Sequence, residues 1–177
     1  MATQQVQAGE DVGYIDTSRY ERIEGQLMER PLPNRRHSEV QFNVTLLLKQ
    51  VVKQHGMKAY QEWTLDEEDK PEHDWMTPDV LVSMPGELKE SRIGHLLPPA
   101  FLVVEVLSPG QTIPQMMKKA RRFLHWGVQH VWLIEPEQNF GFMATGDGAH
   151  NILVAEDGTL KAGAITISMA DILRHEE

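Results

Sequence analysis

No cysteine occurs among the 177 residues, so disulfides, thiolate metal ligands and a thiol nucleophile are excluded. No apolar stretch reaches the length of a membrane span, and residues 1–11 lack the apolar centre of a signal peptide. A cytoplasmic protein without membrane partners is the expectation. Neither a Walker-type glycine loop nor a Gly-x-Ser-x-Gly elbow is present. His55, His73, His95, His125, His130, His150 and His175 show no spacing typical of a zinc site. Positive charge is also short: 17 Lys and Arg face 26 Asp and Glu, a formal net charge of −9. That balance opposes histone-like binding, which draws its affinity from neutralised phosphates. It leaves room for local basic patches, at Arg35-Arg36 and at Lys118-Lys119 with Arg121-Arg122.

What the chain does contain is an ordinary globular composition, 41% hydrophobic and 24% charged. Its length suits one domain, expected over 14–177 behind a polar, Gln-rich, disordered tail at 1–13. Around Glu24-Gly25 the pattern reads as a hairpin of short strands. His37 to His55 carries Val40, Val44, Leu47, Leu48, Val51 and Val52 at helical spacing, with Gly56 as C-terminal cap. Lys58 to Leu65 reads as a strand leading into an acidic loop, Asp66 to Asp69 with Glu72 and Asp74, expected to be solvated. A second strand, Val80 to Met84, follows Thr77-Pro78-Asp79, and Glu87 to Pro99 reads as a loop.

The run from Ala100 to Leu107 is the most informative stretch. Seven apolar residues surround one carboxylate, Glu105, before Ser108-Pro109 ends the strand. Such a run reads as a strand buried on both faces. A carboxylate placed there needs a cation beside it. The helix predicted over Gln115 to Trp126 buries Met116, Met117, Ala120, Phe123 and Leu124. At about 100° per residue, Lys119 falls on the margin of that face and Lys118 points to solvent. Val128 to Glu135 completes a strand–helix–strand unit, expected to be a right-handed parallel crossover. Short strands are expected at 139–144, 151–155 and 164–167, and a helical turn at 169–174. The fold class is α/β, more narrowly α+β with a mixed sheet.

Asp79, Glu105 and Lys119 thus sit where a two-carboxylate-plus-lysine site needs them. Hard divalent ions such as Mg²⁺ (or Mn²⁺) take oxygen ligands and one or two carboxylates. Asp79 and Glu105 on paired strands can supply these, with the Val106 carbonyl as a third ligand. A bound ion acidifies water and neutralises charge on a phosphoryl oxygen. Lys119 can orient that water or stabilise the transition state. A structural ion cluster would use the same three side chains.

Thr77-Pro78-Asp79-Val80, Val103 to Pro109, Lys119, Gly127-Val128 and Val131 to Pro136 together resemble the Uma-type “putative restriction endonucleases”, of the PD-(D/E)xK nuclease superfamily. Tyr20-Glu21, Gly25 and His37 match the same pattern, so the resemblance spans about Tyr20 to Pro136. It implies a restriction-endonuclease-like core (helix, three-strand meander, helix, strand) with an added N-terminal hairpin and C-terminal strands. It also implies a Mg²⁺-dependent endonuclease acting on DNA, with Asp79 and Glu105 as metal carboxylates. Leu107 occupies the place of the usual strand lysine, and Lys119 on the next helix matches this branch's position. Phe123 stands where the family often has tyrosine. Glu21 and His37 become accessory candidates, and Arg35, Arg36, Lys118 and Arg122 candidates for contacting the DNA backbone. The competing expectation is a catalytically inactive module of the same fold, a possible homodimer, in which carboxylates and lysine form a structural ion cluster.

Overall fold

The computed structural model describes residues 19–68, 72–146, 152–155 and 158–175; the expected tail at 1–13 lies outside them. The hairpin forms first in the chain, β1 (Tyr20–Ile23) against β2 (Gln26–Glu29). Both central turn residues, Glu24 and Gly25, have positive φ, 54° and 74°. That twist matches the flanking strands. Helix α1 (Arg35–Val52) begins on Asn34, whose side chain accepts the backbone N–H of His37 at 2.8 Å. A 3-10 turn, Lys53–His55, and Gly56 at φ 71° close it.

Two short strands take the place of the one expected from Lys58 to Leu65, and a third follows the acidic segment. β3 (Ala59–Gln61) stops at Glu62, whose φ of 49° breaks the extended path. β4 (Leu65–Asp66) and β5 (Trp75–Met76) then pair with each other, and β5 pairs with β1. β6 (Val80–Ser83) and β7 (Ala100–Val106) pair antiparallel, Val80 opposite Val104. Helix α2 (Ile113–His125) starts two residues earlier than its apolar pattern. Its N-terminal turn is fixed by the Gln115 side chain, which accepts the Thr112 N–H at 2.9 Å. β8 (His130–Glu135) returns parallel to β7, as the crossover rule requires. β9 (Phe140–Thr145), β10 (Ile152–Val154), β11 (Thr159–Ala162), β12 (Ile165–Ser168) and a short α3 (Met169–Ile172) complete the described chain. β11 was not foreseen.

The main sheet has the order β10-β9-β8-β7-β6-β3; a smaller one has β2-β1-β5-β4, and β11 pairs with β12. The main sheet buries both faces. Val80, Val82, Leu102, Val104, Trp132 and Ile134 pack against α1 and the C-terminal segment. Leu81, Val103, Val131 and Leu133 pack against α2 and the small sheet. Each such side chain taken from water contributes about 1.5–3 kcal/mol before entropy is counted. Gly141 marks one close approach: a Cβ there would meet Leu160 Cδ2 and Met169 Sδ at 3.0 Å. Among the described residues no helix is long and apolar enough to cross a membrane.

Candidate active site

Glu105 lies on β7 between Val103 and Leu107, so its side chain faces the α2 side of the sheet. One position beyond the Val80–Val104 pair, Asp79 falls beside Glu105 on the same face, as cross-strand neighbours do. Lys119 reaches in from α2. Its ammonium lies 2.9 Å from Glu105 Oε1 and donates to Glu21 Oε1 at 2.8 Å. Glu21 comes from β1 of the small sheet and also accepts the Thr77 backbone N–H at 2.9 Å. The Phe123 ring walls the amine, its centroid 5.8 Å from Nζ.

Asp79 is held from three directions. Its Oδ2 accepts the Val106 N–H at 2.7 Å, and its Oδ1 lies 3.2 Å from His37 Nε2. Its backbone carbonyl accepts from Gln41 Nε2 at 3.1 Å. The far ring nitrogen of His37, Nδ1, sits 3.0 Å from Ser108 Oγ. His37 therefore orients Asp79, and Ser108 orients His37. Ser108 carried no role in the sequence reading; its only signal is its place at the end of β7, before Pro109. Glu21, His37, Asp79, Glu105, Val106 and Lys119 all line one cavity of about 250 Å³.

Three carboxylates (Glu21, Asp79, Glu105) share this cavity with one ammonium, and the His37 imidazole stands beside Asp79. Burial pushes the Glu105 carboxyl up to about 8; Lys119 pulls it down, and Asp79 and Glu21 add to the rise. Burial pulls the Lys119 amine down, but Glu105 and Glu21 more than reverse this and hold it charged. His37 follows the same pattern: burial lowers it, and the bond to Asp79 with that group's charge raises it overall. Glu105 Oε1 is buried and faces the Lys119 ammonium at 2.9 Å.

The four basic candidates divide. Arg35 and Lys118 remain exposed, at 87% and 73%, in loose pairs with Glu39 (3.3 Å) and Glu24 (3.6 Å). Arg36 and Arg122 are more enclosed, at 14% and 22%, and each has partners within the fold. Arg36 donates to the Leu173 carbonyl at 2.8 Å, tying α1 to the C-terminal segment. Arg122 holds Glu24 at 3.0 Å and Asp74 at 2.6 Å. The acidic segment is likewise not simply a solvated loop. Asp66 is fully buried, and Asp74 accepts the Gly25 N–H at 2.8 Å.

Comparison with known proteins agrees with this architecture. The crystal structure of “a putative nuclease belonging to DUF820” from Anabaena variabilis ATCC 29413 superposes with a TM-score of 0.73. The two are 24% identical, and the match covers 90% of this chain and 93% of that one. At this identity the likeness establishes the fold. No curated protein matches the sequence. The model of the Uma2 family, described as “Putative restriction endonuclease”, matches residues 14–142, and the chain belongs to that family.

Proposed function

We propose that the protein is a Mg²⁺-dependent endonuclease acting on DNA, with Asp79, Glu105 and the Val106 carbonyl as metal ligands. The observation that carries this reading is the convergence on one cavity of Asp79 and Glu105, from paired strands, with Lys119 from α2. Without an ion the raised Glu105 carboxyl holds a proton there, and a divalent cation would take that proton's place. An all-oxygen donor set suits Mg²⁺ or Mn²⁺ rather than a softer ion. The family's description as “Putative restriction endonuclease” and the likeness to “a putative nuclease” support the nuclease part of this reading.

When bound, the ion would neutralise charge on the scissile phosphate and acidify a water. The chain's own residues supply the rest. Lys119, kept protonated, stabilises charge gathering on the phosphoryl oxygens. Glu21 holds the amine from its other side, so Lys119 is shared between two carboxylates. His37 and the Val106 N–H hold Asp79 in one rotamer, which pre-orients a ligand. Arg35 and Lys118 contact the phosphate backbone outside the cavity.

Supercoiled, linear and single-stranded DNA, together with RNA, incubated with Mg²⁺ or Mn²⁺, test the reading directly. Cleavage of DNA by the wild type and its loss in Asp79→Ala are expected. Absence of metal-dependent cleavage from every substrate would favour the inactive module.

A pH dependence follows. The folded Glu105 carboxyl titrates near 8 against an ordinary 4.5. The folded state therefore holds an extra proton between these values, and this group's contribution to metal-free stability falls as pH rises through that window. A metal must displace that proton. Mg²⁺ affinity, measured by titration calorimetry, is expected to rise about tenfold per pH unit below pH 8 and to level off above it.

A further inference from the structure

We infer that Asp66, His73 and His95 form a second metal site, built for a zinc-class ion. None of the three lines the cavity described above. Asp66 lies on β4, His73 just before β5, and His95 beside Leu96, whose backbone bridges to Leu65. One ligand atom from each residue lies within 4.8 Å of the other two. His95 Nδ1 is 2.7 Å from Asp66 Oδ1, and His73 Nε2 is 3.2 Å from Asp66 Oδ2. Donors around one tetrahedral zinc, at bond lengths near 2.1 Å, stand roughly 3.4 Å apart. The observed spacings of 2.7 and 3.2 Å lie just below that value, so the donors would move apart by a few tenths of an ångström (~0.2–0.7 Å) around an ion.

A second observation points to an ion. Asp66 is 0% exposed, and its Oδ2 accepts no hydrogen bond of good geometry. Two imidazoles converge on this carboxylate, one on each oxygen. Two nitrogens with one oxygen make a zinc donor set and a poor magnesium one. The imidazoles are about 10% exposed, which leaves a path for entry and for a water as fourth ligand.

The site's place in the fold gives it a role. β4 and β5 are two residues each, too short to hold together by their ladder alone. An ion shared by Asp66, His73 and His95 staples that pair to the segment before β7. β5 in turn pairs with β1, and Thr77, next after β5, donates to Glu21. The staple therefore braces the sheet that carries Glu21, without touching the cavity.

The test is to strip the full-length protein with chelator and titrate Zn²⁺ by calorimetry, with Co²⁺ as a spectroscopic probe. One equivalent of Zn²⁺ at micromolar affinity or better is expected in the wild type. Intense visible absorption from four-coordinate Co²⁺ and a rise in Tm with Zn²⁺ should accompany it. His73→Gln and Asp66→Asn should each weaken Zn²⁺ binding about 10–100-fold, with folding checked by circular dichroism. Glu105→Gln should leave Zn²⁺ uptake unchanged, which separates this site from the nuclease reading. No uptake by the wild type would overturn the inference, whatever the variants do. So would undiminished Zn²⁺ affinity in His73→Gln, or uptake that disappears in Glu105→Gln. If Asp66→Asn does not fold, His73→Gln and His95→Gln decide the matter.

Discussion

Glu105→Gln is expected to abolish metal-dependent cleavage while leaving the metal-free protein at least as stable as the wild type at pH 8. The two halves have one cause. Without metal, burial raises the Glu105 carboxyl to about 8, so at neutral pH the fold tolerates this group mainly in its protonated form. Glutamine imitates that form in shape and charge. The substitution removes the cost of holding an anion among Asp79 and Glu21. The same change removes a proposed metal ligand, and a loss of about 10³-fold in kcat/KM, roughly 4 kcal/mol of transition-state stabilisation, is the expected scale. The rise in Tm that Mg²⁺ gives the wild type should vanish. Melting curves at pH 6 and pH 8, with and without Mg²⁺, read all of this. A variant clearly less stable than wild type at pH 8 would mean that the Lys119–Glu105 pair is a net structural support, and the inactive-module reading would gain.

Lys119→Met should have the opposite signature. The amine is the single cation between Glu21 and Glu105. Removing it leaves two carboxylates facing each other in a buried pocket. Breaking a buried pair in this way costs about 3–5 kcal/mol. For a chain of this size that corresponds to a fall in Tm of roughly 6–20 °C. The loss should be smaller at pH 5.5 than at pH 8, because protonating either acid relieves the repulsion. Mg²⁺ should restore more stability to this variant than it adds to the wild type, since the ion then supplies the missing positive charge. Cleavage should still fall by about 10²–10³-fold, because the charge proposed to stabilise the transition state is gone. A variant that melts like the wild type at pH 8 would show that Lys119 does not neutralise the cluster.

The parts of this site that the sequence revealed are those set by local period. Glu105 is legible because one charge interrupts an apolar run, and its neighbours fix which face it takes. Lys119 is legible because helical rotation separates it from Lys118, and the two do differ, at 13% and 73% exposure. What stayed hidden depends on partners distant in the chain. Asp74 and Asp66 look like members of a solvated acidic run. Yet the first caps a turn 49 residues away and the second meets His95, 29 residues on. Arg122 looked free for phosphate because Glu24, 98 residues earlier, gives no local sign of reaching it. Periodicity reports which face is apolar, and it is silent about which polar group finds which. β11 escaped for a related reason: four residues paired only to β12 leave too short an alternation to read.

The delivery of the amine from α2 rather than from β7 has a wider consequence. A lysine borne by the same strand as the acid would keep its distance through covalent geometry alone. Here the gap between base layer and helix layer sets it, and that gap is filled by Met116, Ala120 and Phe123. The reactive separation is thus a property of interlayer thickness, and drift in those apolar residues can retune or silence the chemistry while every polar group stays in place. Loss of turnover among relatives need not leave any mark on the residues that would perform it.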